Sequence, residues 1–192
     1  MSGLIGYKFY WDATVESTSP SALKNLNYFF NAMKGKKRIV LWHFDFPAIK
    51  GSIERSEAVL TRFKALKAWT AKNPNIYFIF AHGFYSPDLV WGLFQFENWA
   101  LLHSHNIFFD LSASNSYLKK DEMLKVAEVA RRVGIWRFLF GTDGVEIEKS
   151  YAMYRDKFGF NEAEVEQVVY KNGHNFLKKV IEPIKVERAK DL

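Results

Sequence analysis

Five short apolar runs, each ending near a polar residue and each followed by a longer stretch, restrict this 192-residue chain more than any other feature. They are LIGYKFY (4–10), RIVLWH (38–43), IYFIFAH (76–82), IFFDLS (107–112) and RFLFGTD (137–143). Such runs read as strands. Helix-length stretches between strands imply parallel pairing, because a parallel neighbour is reached only through a long crossover. The runs are nearly continuous in apolar character, so both faces of the sheet are expected to be buried.

The stretches between them carry helical periodicity. Pro20 opens a helix to about Met33. Residues 52–72 form a long amphipathic pattern stopped by Asn-Pro-Asn. Pro87 starts a third helix to about Leu102, and residues 119–134 end in Gly134 at a C′ position. Two further segments, NEAEVEQVVYK and NGHNFLKKV, read as helices capped by Asn161 and Asn172. Residues 1–182 read as one domain and 183–192 as a charged tail that frays. The strand-end polar residues Lys8, His43, His82, Asp110 and Asp143 recur at steps of 35, 39, 28 and 33 residues. A (β/α)8 barrel of about 250 residues averages about 31 per unit. The expected fold is therefore α/β, a partial TIM-like (β/α) barrel of about five parallel strands. An open doubly wound sheet is the alternative.

Several function classes are disfavoured. Without cysteine there is neither a disulfide framework nor thiolate chemistry. No apolar run reaches the roughly 18 residues of a membrane span, and the start lacks a signal-peptide layout. A cytoplasmic protein that does not engage membranes is expected. The net charge of +6 is densest at KGKKR, residues 34–38, where cations follow a helical pattern with Gly35 placed like a C-cap. No nucleic-acid module is recognisable, so nucleic-acid binding is not expected. Gly-x-Gly-x-x-Gly, Walker and Gly-x-Ser-x-Gly motifs are also missing, which disfavours nucleotide cofactors and serine hydrolysis.

In a βα barrel the exits of the strands form the active rim. Lys8, His43, His82 and Asp143 fall at such exits. Singly, each has an ordinary structural use: a satisfied core histidine, a helix-capping aspartate, an ion-paired lysine. Jointly they offer imidazole and carboxylate groups, the usual ligands of zinc and similar metals. The pair in His-Ser-His, His103 and His105, precedes the strand at 107 and so belongs to the opposite end, with a structural role. Asp45 reads as a turn residue before Pro47.

The landmarks IVLWHFDFP, NIYFIFAHGFYSPD, NIFFDLS, RFLFGTDG and NGHNFLKKV resemble, in order, those of the amidohydrolase superfamily. The closest branch is the amidohydrolase-related group of metal-dependent hydrolases and decarboxylases. GLIGYKFY looks like that group's fourth strand, and the resemblance covers about residues 3–180. It implies hydrolysis of a C–N or C–O bond, or non-oxidative decarboxylation, of a small-molecule substrate. It implies His43 and Asp143 as ligands of a divalent metal, zinc foremost, with Asp143 also a general base. It implies His82 as a catalytic and substrate-contacting residue, Lys8 as a substrate-facing lysine, and a structural role for Asn172. The family's first-strand His-x-His has no counterpart here. A two-ligand set predicts weak metal retention, since catalytic zinc normally has three protein ligands. Five parallel strands do not close a barrel. The open sheet face is expected to need self-association or a missing N-terminal half. A non-catalytic half-barrel, serving as an oligomerisation or binding module, is the rival reading. It predicts that the candidate side chains diverge or are plugged.

Overall fold

The computed structural model describes residues 6–11, 19–44, 64–65, 67–83 and 104–189. The chain is an α/β protein with a five-stranded parallel sheet: β1 (Gly6–Trp11), β2 (Arg38–Phe44), β3 (Ile76–Phe80), β4 (Ile107–Asp110) and β5 (Phe138–Leu139). Spatial order follows chain order, and every neighbouring pair is parallel. Helix α1 (Pro20–Ala32) starts with the hydroxyl of Ser19 accepting from the Ala22 amide and with Pro20 in the first turn. Residues 67–72 form α2. After β4 come α3 (Ser114–Tyr117) and α4 (Lys120–Val133), and after β5 comes α5 (Ile147–Asp156). The Pro87–Leu102 helix, Asp45, His103 and most of the 52–72 pattern lie outside the described residues.

Alternation along the strands divides the core in two. One face presents Val40, Trp42, Ile76, Phe78, Phe80, Ile107, Phe109 and Phe138 to the helices. There Phe30 of α1 and Trp69 of α2 stack against Trp42, and Met123, Val126 and Ala130 of α4 complete the layer. The other face carries Ile39, Tyr77, Ile79, Phe108 and Leu139.

Cover for that second face comes from the chain's own C-terminus. Residues 162–189 form one helix, α6, with wide turns at Gln167–Lys171 and Leu177–Ile181. Its first turns pack Val165 and Val168 into the first core. Farther along, Phe176, Val180 and Ile184 lie on the second face. The helix thus passes around β5, and Asn172 ties it there. The Asn172 amide donates to the carbonyls of Ile135 and Phe138, both at 2.7 Å. One expectation changes. Asn172 is not an N-cap but a buried mid-helix residue with φ −67° and ψ −46°. The helix continues through Glu182–Ala189, with Ile184 fully buried.

At the β1 end the described residues leave the second face open to solvent. Tyr10 is 64% exposed and Lys8 is exposed. The entry end of the sheet is tied by structural hydrogen bonds. Buried Asn106 donates to the Ile76 carbonyl at 2.8 Å, and buried Arg137 donates to the carbonyls of Val133 and Ile107. No helix among the described residues is long and apolar enough to cross a membrane.

Candidate functional site at the strand exits

Four strands deliver polar groups to one place at the exit end. His43 is the next-to-last residue of β2, on the face that carries Ile39. Beyond β3 the chain makes a tight turn, Ala81–Gly83, in which His82 takes the left-handed conformation, φ 63°. Beyond β4, Ala113 does the same at φ 51°, and beyond β5, Asp143 at φ 48°. These are the three non-glycine residues with positive φ among those described, and each follows a strand exit. Left-handed backbone costs an L-residue roughly 1–2 kcal/mol, though histidine and aspartate tolerate it better than most. Such strain persists where surrounding contacts hold it, commonly at functional sites.

His82 is the centre of the cluster. It is 4% exposed, and both ring nitrogens are engaged. Nε2 lies 2.9 Å from Nδ1 of His43. Nδ1 lies 3.0 Å from the Ser112 hydroxyl, 3.2 Å from the Ser112 carbonyl and 3.8 Å from Oδ2 of Asp143. Asp110, at the end of β4, receives the amides of His82 (3.2 Å) and Ser112 (2.9 Å) and the Ser112 hydroxyl, all on Oδ1. The Tyr10 ring stacks on the His43 ring at 3.9 Å, the strand register placing the two side by side. Asp143 is half exposed, so the cluster runs from a buried interior to a solvent-facing carboxylate.

Two glycines make the geometry possible for different reasons. Gly144 has φ +82°, suited to the turn after Asp143. Gly141 is required by space. A Cβ there would lie 2.9 Å from Cβ of Ser112 and 3.3 Å from Oδ1 of Asp110. Behind it, Tyr154 of α5 is fully buried and its hydroxyl reaches toward the Gly141 carbonyl at 3.5 Å. Burial pushes the Tyr154 phenol above its ordinary pKa. The Asp110 charge adds to that rise.

Of the four residues singled out from sequence, the structure brings together His43, His82 and Asp143. Lys8 is on the same sheet face but pairs with Leu41, one pleat toward the strand entry from His43, and points to solvent. His105 sits exposed at the entry of β4, against the Pro74 carbonyl. Asp110 and Ser112 were missed as site residues. The signal was the Asp-x-Ser spacing at the end of an apolar strand, which suits a side chain that caps its own turn.

The pair that the resemblance assigns to a metal does not fit a shared ion in this arrangement. Ligand atoms about 2.0–2.2 Å from one zinc lie at most about 4.4 Å apart. His43 and Asp143 contact different nitrogens of one imidazole, so the His82 ring stands between them. Among the described residues, no three His, Asp or Glu side chains form a metal-holding group. What they form is a hydrogen-bonded pair, His43 and His82, with the Asp143 carboxylate 3.8 Å from the other nitrogen of His82. Compared with protein-family models, curated proteins and solved structures, the chain has no significant match.

Proposed function

We propose that the strand-exit cluster is the active site of a hydrolase that cleaves a C–N or C–O bond in a small molecule by acid–base chemistry. The observation that carries this reading is the convergence of His43, His82 and Asp143 from three strand exits, with His82 buried and engaged at both nitrogens. A paired, buried imidazole takes up and returns a proton during attack and departure at the substrate. Asp143, near Nδ1 and half exposed, stabilises the positive charge that then resides on the pair. The convergence speaks against divergent side chains, one of the two arrangements that a non-catalytic binding module calls for.

On the same reading the sheet is part of a (β/α) barrel of amidohydrolase type, supported by its sequential parallel order. One feature sets it apart: α6 lies on a sheet face whose barrel counterpart would face the interior.

The test is hydrolysis of a panel of p-nitroanilides and p-nitrophenyl esters by the unmodified chain and by His82→Asn. Asparagine accepts the left-handed backbone at position 82, so the fold is kept while the ionisable ring is removed. The expected loss is about 10²- to 10⁴-fold in rate. Equal turnover by the two proteins, or no turnover of any panel member by the unmodified chain, refutes the proposal.

A further inference from the structure

The hydrogen-bond pattern around His82 places its protons. The oxygens that the described residues bring to Nδ1 are acceptors. The Ser112 carbonyl and the Asp143 carboxylate accept by nature. The Ser112 hydroxyl has one hydrogen, and Oδ1 of Asp110 takes it. What that hydroxyl then offers the imidazole 3.0 Å away is a lone pair.

We infer that Asp110 and Ser112 are positioning residues that lock His82 in its Nδ1–H tautomer, so that Nδ1–H of His43 donates to it and the His43 lone pair sits on Nε2. The inference deepens the acid–base reading of this site and rests on it. His82 has one nitrogen on Ser112 and the other on His43, so a proton taken up by the pair is shared across the His43–His82 hydrogen bond.

The proton balance is simple. A proton arriving at Nε2 of His43 joins its lone pair. The Nδ1 proton of His43 crosses the 2.9 Å gap to Nε2 of His82. One proton has entered, and one positive charge now sits on the ring facing Ser112 and Asp143. The reverse shift returns the proton at Nε2 of His43. Among the described residues, the other titratable groups around the pair are Asp110 from β4, Asp143 beyond β5, Tyr10 stacked on His43, and Tyr154 of α5 behind Gly141.

The test is long-range ¹H–¹⁵N correlation on the full chain with ¹⁵N-labelled histidine, at neutral pH, with His82 assigned by its loss in His82→Asn. The expected spectrum shows His82 protonated on Nδ1 and unprotonated on Nε2. In Ser112→Ala the tautomer ratio shifts about fivefold toward Nε2–H, the equivalent of one lost hydrogen bond. A His82 protonated on Nε2 in the unmodified chain overturns the inference, whether or not the variant folds. An unchanged ratio in a folded Ser112→Ala chain overturns it as well. The spectrum needs no substrate, so the two readings fail separately. Nδ1–H with no turnover keeps the proton placement and removes the hydrolase. Turnover with Nε2–H does the opposite.

Discussion

Replacing Asn172 by alanine tests how the second sheet face is closed. The Asn172 side chain is 2% exposed and its amide supplies the Ile135 and Phe138 carbonyls, each at 2.7 Å. Its own oxygen accepts from the Gln167 amide, which orients it. Alanine removes both donors at once. A buried polar group left without its partner costs about 1–3 kcal/mol, so two carbonyls amount to roughly 2–6 kcal/mol. Alanine is the better helix former, which returns about 0.6 kcal/mol at this mid-helix position. The net expectation is a loss of about 1.5–5 kcal/mol, or a fall in Tm of about 3–20 °C for a chain of this size. Urea denaturation and a thermal melt measure it directly. Gln167→Ala leaves the donors in place and should cost less than half as much. If Asn172→Ala loses under 0.5 kcal/mol, or gains stability, then Asn172 does not pin α6 to β5 and the closure argument fails.

Further predictions follow from individual contacts. Gly141→Ala forces a methyl against Ser112 and Asp110, and should lower stability by about 1–3 kcal/mol and shift the imidazole resonance of His82. Asp143→Asn keeps a residue suited to φ 48°, so its melt should stay within a few degrees of the unmodified chain while any hydrolysis falls. Because the folded state holds the Tyr154 proton more tightly than the unfolded chain does, this tyrosine's contribution is complete below the ordinary phenol range of about 10 and is lost as pH rises above it. An absorbance titration at alkaline pH should show it ionising only with unfolding. Arg131 grips Glu164 through two hydrogen bonds of 2.7 and 2.8 Å, which hold that carboxyl below its usual range. Its stabilising effect is then present above about pH 4.3 and lost as pH falls through the lowered value. The pair is partly exposed, so Glu164→Gln should cost under about 1 kcal/mol at neutral pH, and the gap from the unmodified chain should close in acid.

The sheet was readable in the sequence because its signals are local. RIVLWH and IYFIF lie between turn or helix-stop residues, and the structure places β2 and β3 over them. The ends were harder. Reading RFLFGTD as strand through Asp143 overran β5 by four residues, because His82 and Asp143 leave the extended region for left-handed backbone. That departure is set by tertiary contacts: the His82 amide on Asp110, and Gly141 tight against Ser112. Nothing in AHG or GTD alone distinguishes a strand that continues from one that turns. Asn172-Gly173 misled for a related reason. Both residues are weak helix formers, and a local reading makes them a cap. In the fold, two carbonyls at β5 reward an amide at that position, and the helix continues through it.

The closing helix and the site depend on each other through β5. With only two residues in the strand, β5 gains little from its own ladder. On one side it pairs with β4 at Phe109 and Asp110. On the other, Asn172 takes the Phe138 carbonyl, and Leu139 packs with Phe176 and Val180 in the second core. Three residues after Phe138 comes Gly141, and two after that Asp143. The position of the carboxylate beside His82 is therefore set by a strand that α6 secures from outside the sheet. Loosening Asn172 should move Asp143 as well as lower stability, whereas an equal loss of stability placed in α1, far from β5, should leave the His82 surroundings unchanged. Comparing His82 spectra in Asn172→Ala and Leu23→Ala, both measured under folding conditions, separates the two. A His82 signal that moves equally in both variants means that the site answers to global stability and not to the anchoring of β5.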